Sequence, residues 1–270
     1  MAMMCQKIRE NELGNYKGEN WIGEPKYDGS RIIYRYGEFF TQNRDTFKDS
    51  RDVSYKFPEL KLDMNIPAVL DGEIVADSGS FEDTGSRIHL EDKLKIKISA
   101  KRNSCSYYIF DILEVNGTDV THLSLEKRKE LLKSLDLSEN ERYKLVEWTK
   151  DIDKLWQEIK DRKGEGIVLK DINSSYDKAR RSWSWIKCKN WKEDIVICKS
   201  YDENPKGIAL YMDNGQRLQC AGSQHYEVKQ AIDELGSVRI EIQYLTKDKK
   251  VGGTDGEYVY RFPSFRGMVA

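Results

Sequence analysis

The sequence has few of the residues that crosslink a chain, bind zinc or cross a membrane. Its 270 residues include five cysteines, three histidines and five prolines. The cysteines are odd in number, widely spaced and without a CxxC pair, which argues against a disulfide framework or a zinc site and favours a reducing compartment. No apolar run approaches the length of a transmembrane segment, and residues 1–15 lack the pattern of a signal peptide. We therefore expect a cytoplasmic protein without membrane association.

The sequence also lacks an excess of charge of either sign. Its 45 basic and 46 acidic residues leave a formal net charge of −1, which gives no bulk attraction to a polyanion. A nucleic-acid-binding protein of this composition must segregate its charges. Residues 178–192 contain six cationic side chains and no carboxylate, whereas residues 71–92 contain seven carboxylates. The basic segment is therefore the candidate surface for a nucleic acid.

Hydrophobic patterning indicates an α+β fold in two parts. Apolar runs rich in β-branched and aromatic residues predict strands at 31–36, 69–76, 107–113 and 167–170. Apolar residues at helical spacing predict helices at 124–135 and 152–164. From Trp191 onward the strands become shorter, and the pattern includes an Asn214-Gly215 hairpin signal and one helix at 224–235. This pattern suits a small β-barrel such as an OB-fold at 192–270, after a larger domain at 1–191.

Five short motifs follow one another along the chain. They are Lys26–Arg31 (KYDGSR), Asp71–Glu73 (DGE), Ile109–Asp111 (IFD), Glu165–Lys170 (EGIVLK) and Trp185–Lys189 (WIKCK). Each alone occurs by chance, but their order and spacing resemble those of the covalent nucleotidyltransferases: ATP-dependent DNA ligases, RNA ligases and mRNA capping enzymes. The resemblance covers nearly the whole chain. It implies an adenylation domain of antiparallel sheets with flanking helices, followed by an OB-fold barrel.

The first motif contains the candidate nucleophile, Lys26. A lysine amine attacks only when it is deprotonated, which requires desolvation or nearby positive charge. Lys187 and Lys189 are two apart on a predicted strand, so both point to the same side and can approach a phosphate. In isolation, Lys26 is better interpreted as a surface lysine before a turn. Together with the other motifs it is predicted to carry AMP.

The resemblance also implies roles for the acidic and aromatic motif residues. Glu73 and Glu165 match residues that serve the ribose and a divalent metal, Mg²⁺ or Mn²⁺, which needs few protein carboxylates. Phe110 matches an aromatic residue that stacks on the purine. The resemblance implies that the adenine is then recognised mostly by backbone groups, with Glu24 as a candidate contributor. Taken singly, the two carboxylates would be interpreted as solvated turn residues and Phe110 as core.

Four arginines match phosphate-binding positions of the family. Arg31 and Arg44 correspond to arginines that contact AMP and the 5′-phosphate of a nick. Arg261 and Arg266 lie in a segment similar to the last ligase motif, whose arginines orient the pyrophosphate leaving group. That match is partial, which leaves open which of the two acts and whether lysines at 247, 249 and 250 contribute. A basic end to a barrel strand is the structural alternative.

The implied function is ATP-dependent sealing of nicked double-stranded DNA by a monomer, as used in DNA repair, replication and recombination. Only 25 residues precede Lys26, and no cysteine-rich module follows the barrel; these features favour ATP over NAD. The WIKCK motif and the Arg261–Arg266 segment favour a DNA ligase over a GTP-dependent capping enzyme. The predicted barrel favours DNA over RNA ligation. A non-catalytic OB-type nucleic-acid-binding protein is the alternative of a different class.

Overall fold

The computed structural model describes residues 2–41, 51–62, 66–79, 81–249 and 257–269. The chain divides into two compact units, Met1–Cys188 and Lys189–Ala270. Helices and mainly antiparallel strands occur in both, so the predicted α+β class is confirmed. Within the described ranges, no helix has both the length and the apolar character required to span a membrane.

The first unit contains two sheets with helices packed against them. Its described strands are β1 (Met4–Ile8), β2 (Trp21–Pro25), β3 (Ser30–Arg35), β4 (Glu38–Thr41), β5 (Ala68–Ala76), β6 (Cys105–Val115), β7 (Thr118–Asp119), β8 (Tyr143–Leu145), β9 (Gly166–Asp171) and β10 (Arg181–Lys189). Its described α-helices are α1 (Phe81–His89), α2 (Lys93–Arg102), α3 (Leu125–Ser134) and α4 (Ile152–Asp161). Short 3₁₀ helices occur at Glu10–Tyr16, Ser54–Lys56 and Pro58–Leu60.

The two sheets of this unit differ in their pairing. One has the strand order β1-β10-β9-β2, with β1 parallel to β10 and β2 antiparallel to β9. The other has the order β4-β3-β5-β6-β7, with β8 alongside β6. One face of the second sheet buries Ile32, Leu70, Ile74, Tyr107 and Ile109 in the main hydrophobic core. Since neighbouring residues of a strand alternate between faces, the other face carries a smaller apolar cluster together with cavity residues such as Glu73.

Helices α3 and α4 of this unit begin at side-chain caps. Ser124 caps α3 by accepting from the Lys127 N–H, and Asp151 caps α4 by accepting from the Lys154 N–H. Residues at helical spacing along α4 are buried against β2 and β9: Ile152, Leu155, Trp156 and Ile159. Both predicted helices are confirmed, although α1 and α2 were not predicted. The sequence of α2 is so rich in lysine that its apolar residues, Ile96 and Ala100 at the buried positions, give little periodicity.

The second unit is an antiparallel sheet with one helix. Its described elements are β11 (Lys192–Asn204), β12 (Gly207–Met212), β13 (Arg217–Cys220), α5 (Gln224–Leu235), β14 (Val238–Tyr244), β15 (Thr246–Lys249), β16 (Tyr258–Arg261) and β17 (Ser264–Met268). The sheet has the order β13-β12-β11-β14-β17, and β15 pairs with β16. The predicted hairpin lies between β12 and β13, where Gly215 adopts a positive φ of 79°. The helix ends at Gly236, also with a positive φ.

Candidate active site

A cavity of about 420 Å³ opens between the two sheets of the first unit. It is lined by residues of β1, β2 and the following turn, β3, β5, β6, β9 and β10: Met4, Cys5, Lys7, Glu24, Pro25, Lys26, Tyr27, Arg31, Glu73, Phe110, Val168, Arg181 and Lys187. Six of the predicted site residues are in this lining: Glu24, Lys26, Arg31, Glu73, Phe110 and Lys187. The fold therefore brings together residues from all five motifs, since Val168 belongs to the fourth.

The remaining predicted residues lie elsewhere. Glu165 contacts Lys26 directly. Lys189 belongs to the second unit, where its ammonium lies 5.5 Å from the Trp191 ring centroid. Arg261 and Arg266 lie on β16 and β17 of that unit. Arg44 is outside the described residues.

Some lining residues were missed by the sequence analysis. Cys5 and Lys7 come from β1, which pairs in parallel with β10 near the other end of the first unit. Such a long-range pairing has no local sequence signal. Arg181 also lines the cavity; the basic segment at 178–192 contained it, but the motif did not extend to it.

Lys26 is held by carboxylates in this structure. Its backbone N–H donates to the Gly166 carbonyl over 2.9 Å, which extends the β2–β9 pairing and places Lys26 beside Glu165. The Lys26 Nζ donates to Glu165 Oε2 over 2.6 Å. Burial lowers the pKa of Lys26, but attraction to Glu165 and Glu73 outweighs it, so the pKa is raised. Of the two conditions that favour a deprotonated amine, desolvation is present at Lys26, but its effect on the pKa is outweighed by the buried carboxylates.

Glu73 lies within β5, between its neighbours β3 and β6, whereas taken singly it would be interpreted as a solvated turn residue. It pairs across to Arg31 on β3 and to Tyr108 on β6. Burial raises the pKa of Glu73 to about 7, opposed by Lys26 and Arg31 and assisted by Glu165. The charge of Glu165 therefore favours the protonated form of Glu73.

Arg31 is oriented by a buried acid. Its Nε and Nη2 donate to the two oxygens of Asp71 over 2.8 and 2.5 Å, and its Nη1 donates to the Met3 carbonyl over 2.7 Å. Burial lowers the pKa of Arg31, but Asp71 outweighs it and holds that pKa above its usual value. The Tyr176 hydroxyl also donates to Asp71 over 2.6 Å. Arg31 is thus a permanently charged group whose direction is set by Asp71.

Phe110 lies at an irregularity in β6. Asp71 pairs with Asp111 and Gly72 with Ile109, so Phe110 has no opposite residue on β5. Because neighbouring residues of a strand alternate between faces, Ile109 enters the core and Phe110 faces the cavity. Its ring meets Trp185 edge to face, with centroids 5.9 Å apart. The predicted stacking role requires this exposure to the cavity.

Gly29, which follows Lys26 in the first motif, lies against β5. A Cβ at Gly29 would lie 2.1 Å from the Ile74 carbonyl oxygen. We expect Gly29→Ala to lower the free energy of unfolding by about 1–3 kcal/mol, because backbone must move to relieve the overlap. Urea denaturation measures this loss. Gly85→Ala is the matched control, since nothing lies within 4 Å of its Cβ position in α1; an equal loss in both variants would contradict the prediction.

The chain is similar to known proteins. Residues 1–189 match the family of the ATP dependent DNA ligase domain. The chain is 32% identical over 284 residues to the SPbeta prophage-derived DNA ligase-like protein LigB of Bacillus subtilis, covering 97% of this chain and 96% of LigB. The chain belongs to the ATP-dependent DNA ligase family.

Other relatives of this ligase-family chain are longer. The bifunctional non-homologous end joining protein LigD of B. subtilis is 31% identical over 245 residues, and the match spans 81% of this chain but 40% of LigD.

A solved Lig E DNA ligase structure superposes with a TM-score of 0.69 at 17% identity, covering 99% of this chain and 98% of that one. A mycobacterial DNA ligase D complexed with ATP and MES superposes at 0.54 with 19% identity, covering 99% and 94% of the two chains. These two likenesses support the fold alone.

Proposed function

We propose that this chain is an ATP-dependent DNA ligase that seals nicks in duplex DNA through a lysyl-AMP intermediate on Lys26. One observation carries the proposal: the Lys26 amine lines a cavity of about 420 Å³ that also contains an aromatic ring, a carboxylate and several cations. An aromatic face suits a base, and cations suit phosphates. The family membership of the chain supports the same reaction.

In the first step the Lys26 amine attacks the α-phosphorus of ATP. A P–N bond forms, the P–O bond to pyrophosphate breaks, and the lysine gives up a proton. Glu165 Oε2 already accepts a hydrogen bond from the Lys26 Nζ, so it is placed to take that proton. Arg181, Lys187 and Lys7 line the same cavity and would bind the phosphates, with Arg31 contributing its fixed charge.

In the second and third steps AMP passes to the 5′-phosphate of the nick, and the 3′-hydroxyl then displaces AMP. Both are phosphoryl transfers, in which the protein positions groups and balances charge. Arg44 remains a candidate contact for the 5′-phosphate. The exposed side chains of Arg180, Arg181 and Trp183 are candidate contacts for the DNA backbone.

Glu73 and Glu165 suit a divalent metal such as Mg²⁺ or Mn²⁺. Both carboxylates attract the charge of Lys26, and Glu165 disfavours the charged form of Glu73, a repulsion that a cation would relieve. Mg²⁺ uses one or two carboxylates together with phosphate oxygens and water. When bound, it would add positive charge beside the α-phosphate and so stabilise charge that develops there.

We also propose that residues 1–191 act as the adenylation domain and residues 192–270 as an OB-fold domain. Support for the second comes from its five-stranded antiparallel sheet and single described helix, α5. Within this domain, Arg261 lies 5.1 Å from the Phe262 ring centroid, and Arg266 is exposed on β17. These two arginines remain the candidates for orienting pyrophosphate.

The test of this function is covalent labelling. Purified protein incubated with α-labelled ATP and Mg²⁺, then denatured, should retain the label. Label from GTP alone would instead indicate a capping enzyme, and label from neither nucleotide would indicate a non-catalytic nucleic-acid-binding protein. Sealing of a nicked DNA duplex, compared with an otherwise identical nicked RNA duplex, then distinguishes a DNA ligase from an RNA ligase.

A further inference from the structure

Three buried polar side chains meet behind one wall of the cavity: Glu24, Lys170 and Trp185. Lys170 Nζ lies 2.7 Å from Glu24 Oε2 and 3.9 Å from the Trp185 ring centroid. A buried carboxylate is retained in a protein when buried cations compensate its charge. Because Glu24 also lines the cavity, the cluster fixes a carboxylate where a ligand would bind.

The cluster contains one negative and two positive side chains. The Glu24 carboxylate lies between two ammonium groups, with Oε1 at ion-pair distance from Lys129 and Oε2 at ion-pair distance from Lys170. The side chains of these lysines are 6% and 1% exposed, and that of Glu24 is 3% exposed. Removing one ammonium would therefore leave the carboxylate free to turn toward the other.

Lys129 also connects the two recognition elements of the wall. Its Nζ donates to the Phe110 carbonyl over 2.9 Å while it pairs with Glu24. Lys170 lies 4.6 Å from the Phe110 ring centroid. Glu24 and Phe110 line the cavity, whereas Lys129 and Lys170 do not. The two lysines can therefore affect a bound base only through the carboxylate and the ring.

The chemistry of a carboxylate gives this arrangement a preference among purines. An ionised carboxylate only accepts hydrogen bonds. Adenine presents an exocyclic amino group, a donor, where guanine presents a carbonyl oxygen, an acceptor. A carboxylate fixed at the base edge would accept a hydrogen bond from the adenine amino group and would repel the guanine carbonyl oxygen. Bound guanine would therefore leave buried polar groups without hydrogen-bond partners.

We propose that Lys129 and Lys170 are positioning residues for nucleotide choice: they hold Glu24 as the acceptor for the adenine amino group and so select ATP over GTP. The inference rests on the proposed function, because it concerns the nucleotide that reacts with Lys26. Lys129 lies on α3, outside the five motifs, and Lys170 ends the fourth motif.

Single-turnover labelling of Lys26 in Lys129→Met tests the proposal. The substrates are ATP, GTP and purine riboside triphosphate, which lacks both the amino group and the carbonyl oxygen. We expect the preference for ATP over the purine analogue to fall about tenfold, as for loss of one hydrogen bond to a charged group. Lys129→Arg should restore much of it. Lys127→Met, an exposed lysine on the same helix, is the matched control and should keep the wild-type preference.

The outcomes separate the two levels of inference. An equal decrease of the labelling rate of Lys129→Met with all three nucleotides, or an unchanged preference for ATP, would overturn the positioning role. The proposed function would still stand in that case, because it depends on labelling of the wild-type protein. No label from ATP in the wild-type protein would overturn both. Should Lys129→Met not fold, Lys129→Gln is the second variant, because it keeps a donor for the Phe110 carbonyl and loses the charge. The same loss of preference is expected there, and its absence contradicts the proposal.

Discussion

Lys26→Ala is expected to abolish covalent labelling by ATP, with a loss of more than about 10³-fold, as for removal of other covalent nucleophiles. Neither of the other cavity lysines is placed to replace Lys26, because Lys7 and Lys187 enter the cavity from other strands, β1 and β10. Lys26→Arg should be as inactive, since a guanidinium stays protonated and is not a nucleophile. The measurement is the label that the denatured protein retains, per mole of protein, with α-labelled ATP and Mg²⁺.

The arginine variant separates chemistry from folding. Arginine can keep the charge pair with Glu165 that Lys26 makes over 2.6 Å, so its melting temperature should stay near that of the wild-type protein. Lys17→Ala is the control for general loss of a lysine, because its pair with Asp153 is exposed. Undiminished labelling in Lys26→Ala would remove Lys26 as the nucleophile and make another cavity lysine the candidate.

A second large effect is expected from pH. Because Glu165 and Glu73 raise the pKa of Lys26 despite its burial, the amine is mostly protonated near neutral pH. The reactive fraction of an amine grows about tenfold per pH unit below its pKa. The single-turnover rate of Lys26 labelling at saturating ATP and constant Mg²⁺ should therefore rise steeply from about pH 6 to 8.

Glu165→Gln tests the cause of this dependence. Removal of the carboxylate removes the strongest influence that raises the pKa of Lys26, so the rise should move to lower pH. The maximal rate should fall as well, because Glu165 is the proposed proton acceptor. Glu19→Gln is the matched control, since Glu19 pairs with Lys150 at the surface. A wild-type rate that does not change between pH 6 and 9 would contradict this account.

Much of the chemistry could be predicted from the sequence because it resides in local motifs. KYDGSR and EGIVLK specify residue types and spacings that short segments can carry. The predicted helices at α3 and α4 were confirmed because their apolar spacing and their caps, Ser124 and Asp151, are local signals. The Asn214-Gly215 hairpin was predictable for the same reason.

Other features depend on contacts between distant parts of the chain. The Lys26–Glu165 pair joins residues 139 positions apart, and its effect on the Lys26 pKa depends on burial that no motif records. The bulge at Phe110 is a mismatch between β5 and β6, which depends on the partner strand and therefore has no signal in the sequence of β6 alone. Lys129 lies on α3, whose sequence is rich in charged residues. In the folded protein its side chain is nevertheless buried against Glu24.

The sequence by itself determined which groups this ligase-family protein has for chemistry: a lysine, carboxylates, an aromatic ring and cations in a given order. The tertiary structure alone decided their charge state and direction, because both depend on desolvation and on neighbours supplied by other strands and helices. The sequence motif predicts Lys26 as the nucleophile, but only the folded protein places it against Glu165 over 2.6 Å. For that reason the starting state of the proposed reaction is an ion pair, and the first chemical requirement is loss of its proton.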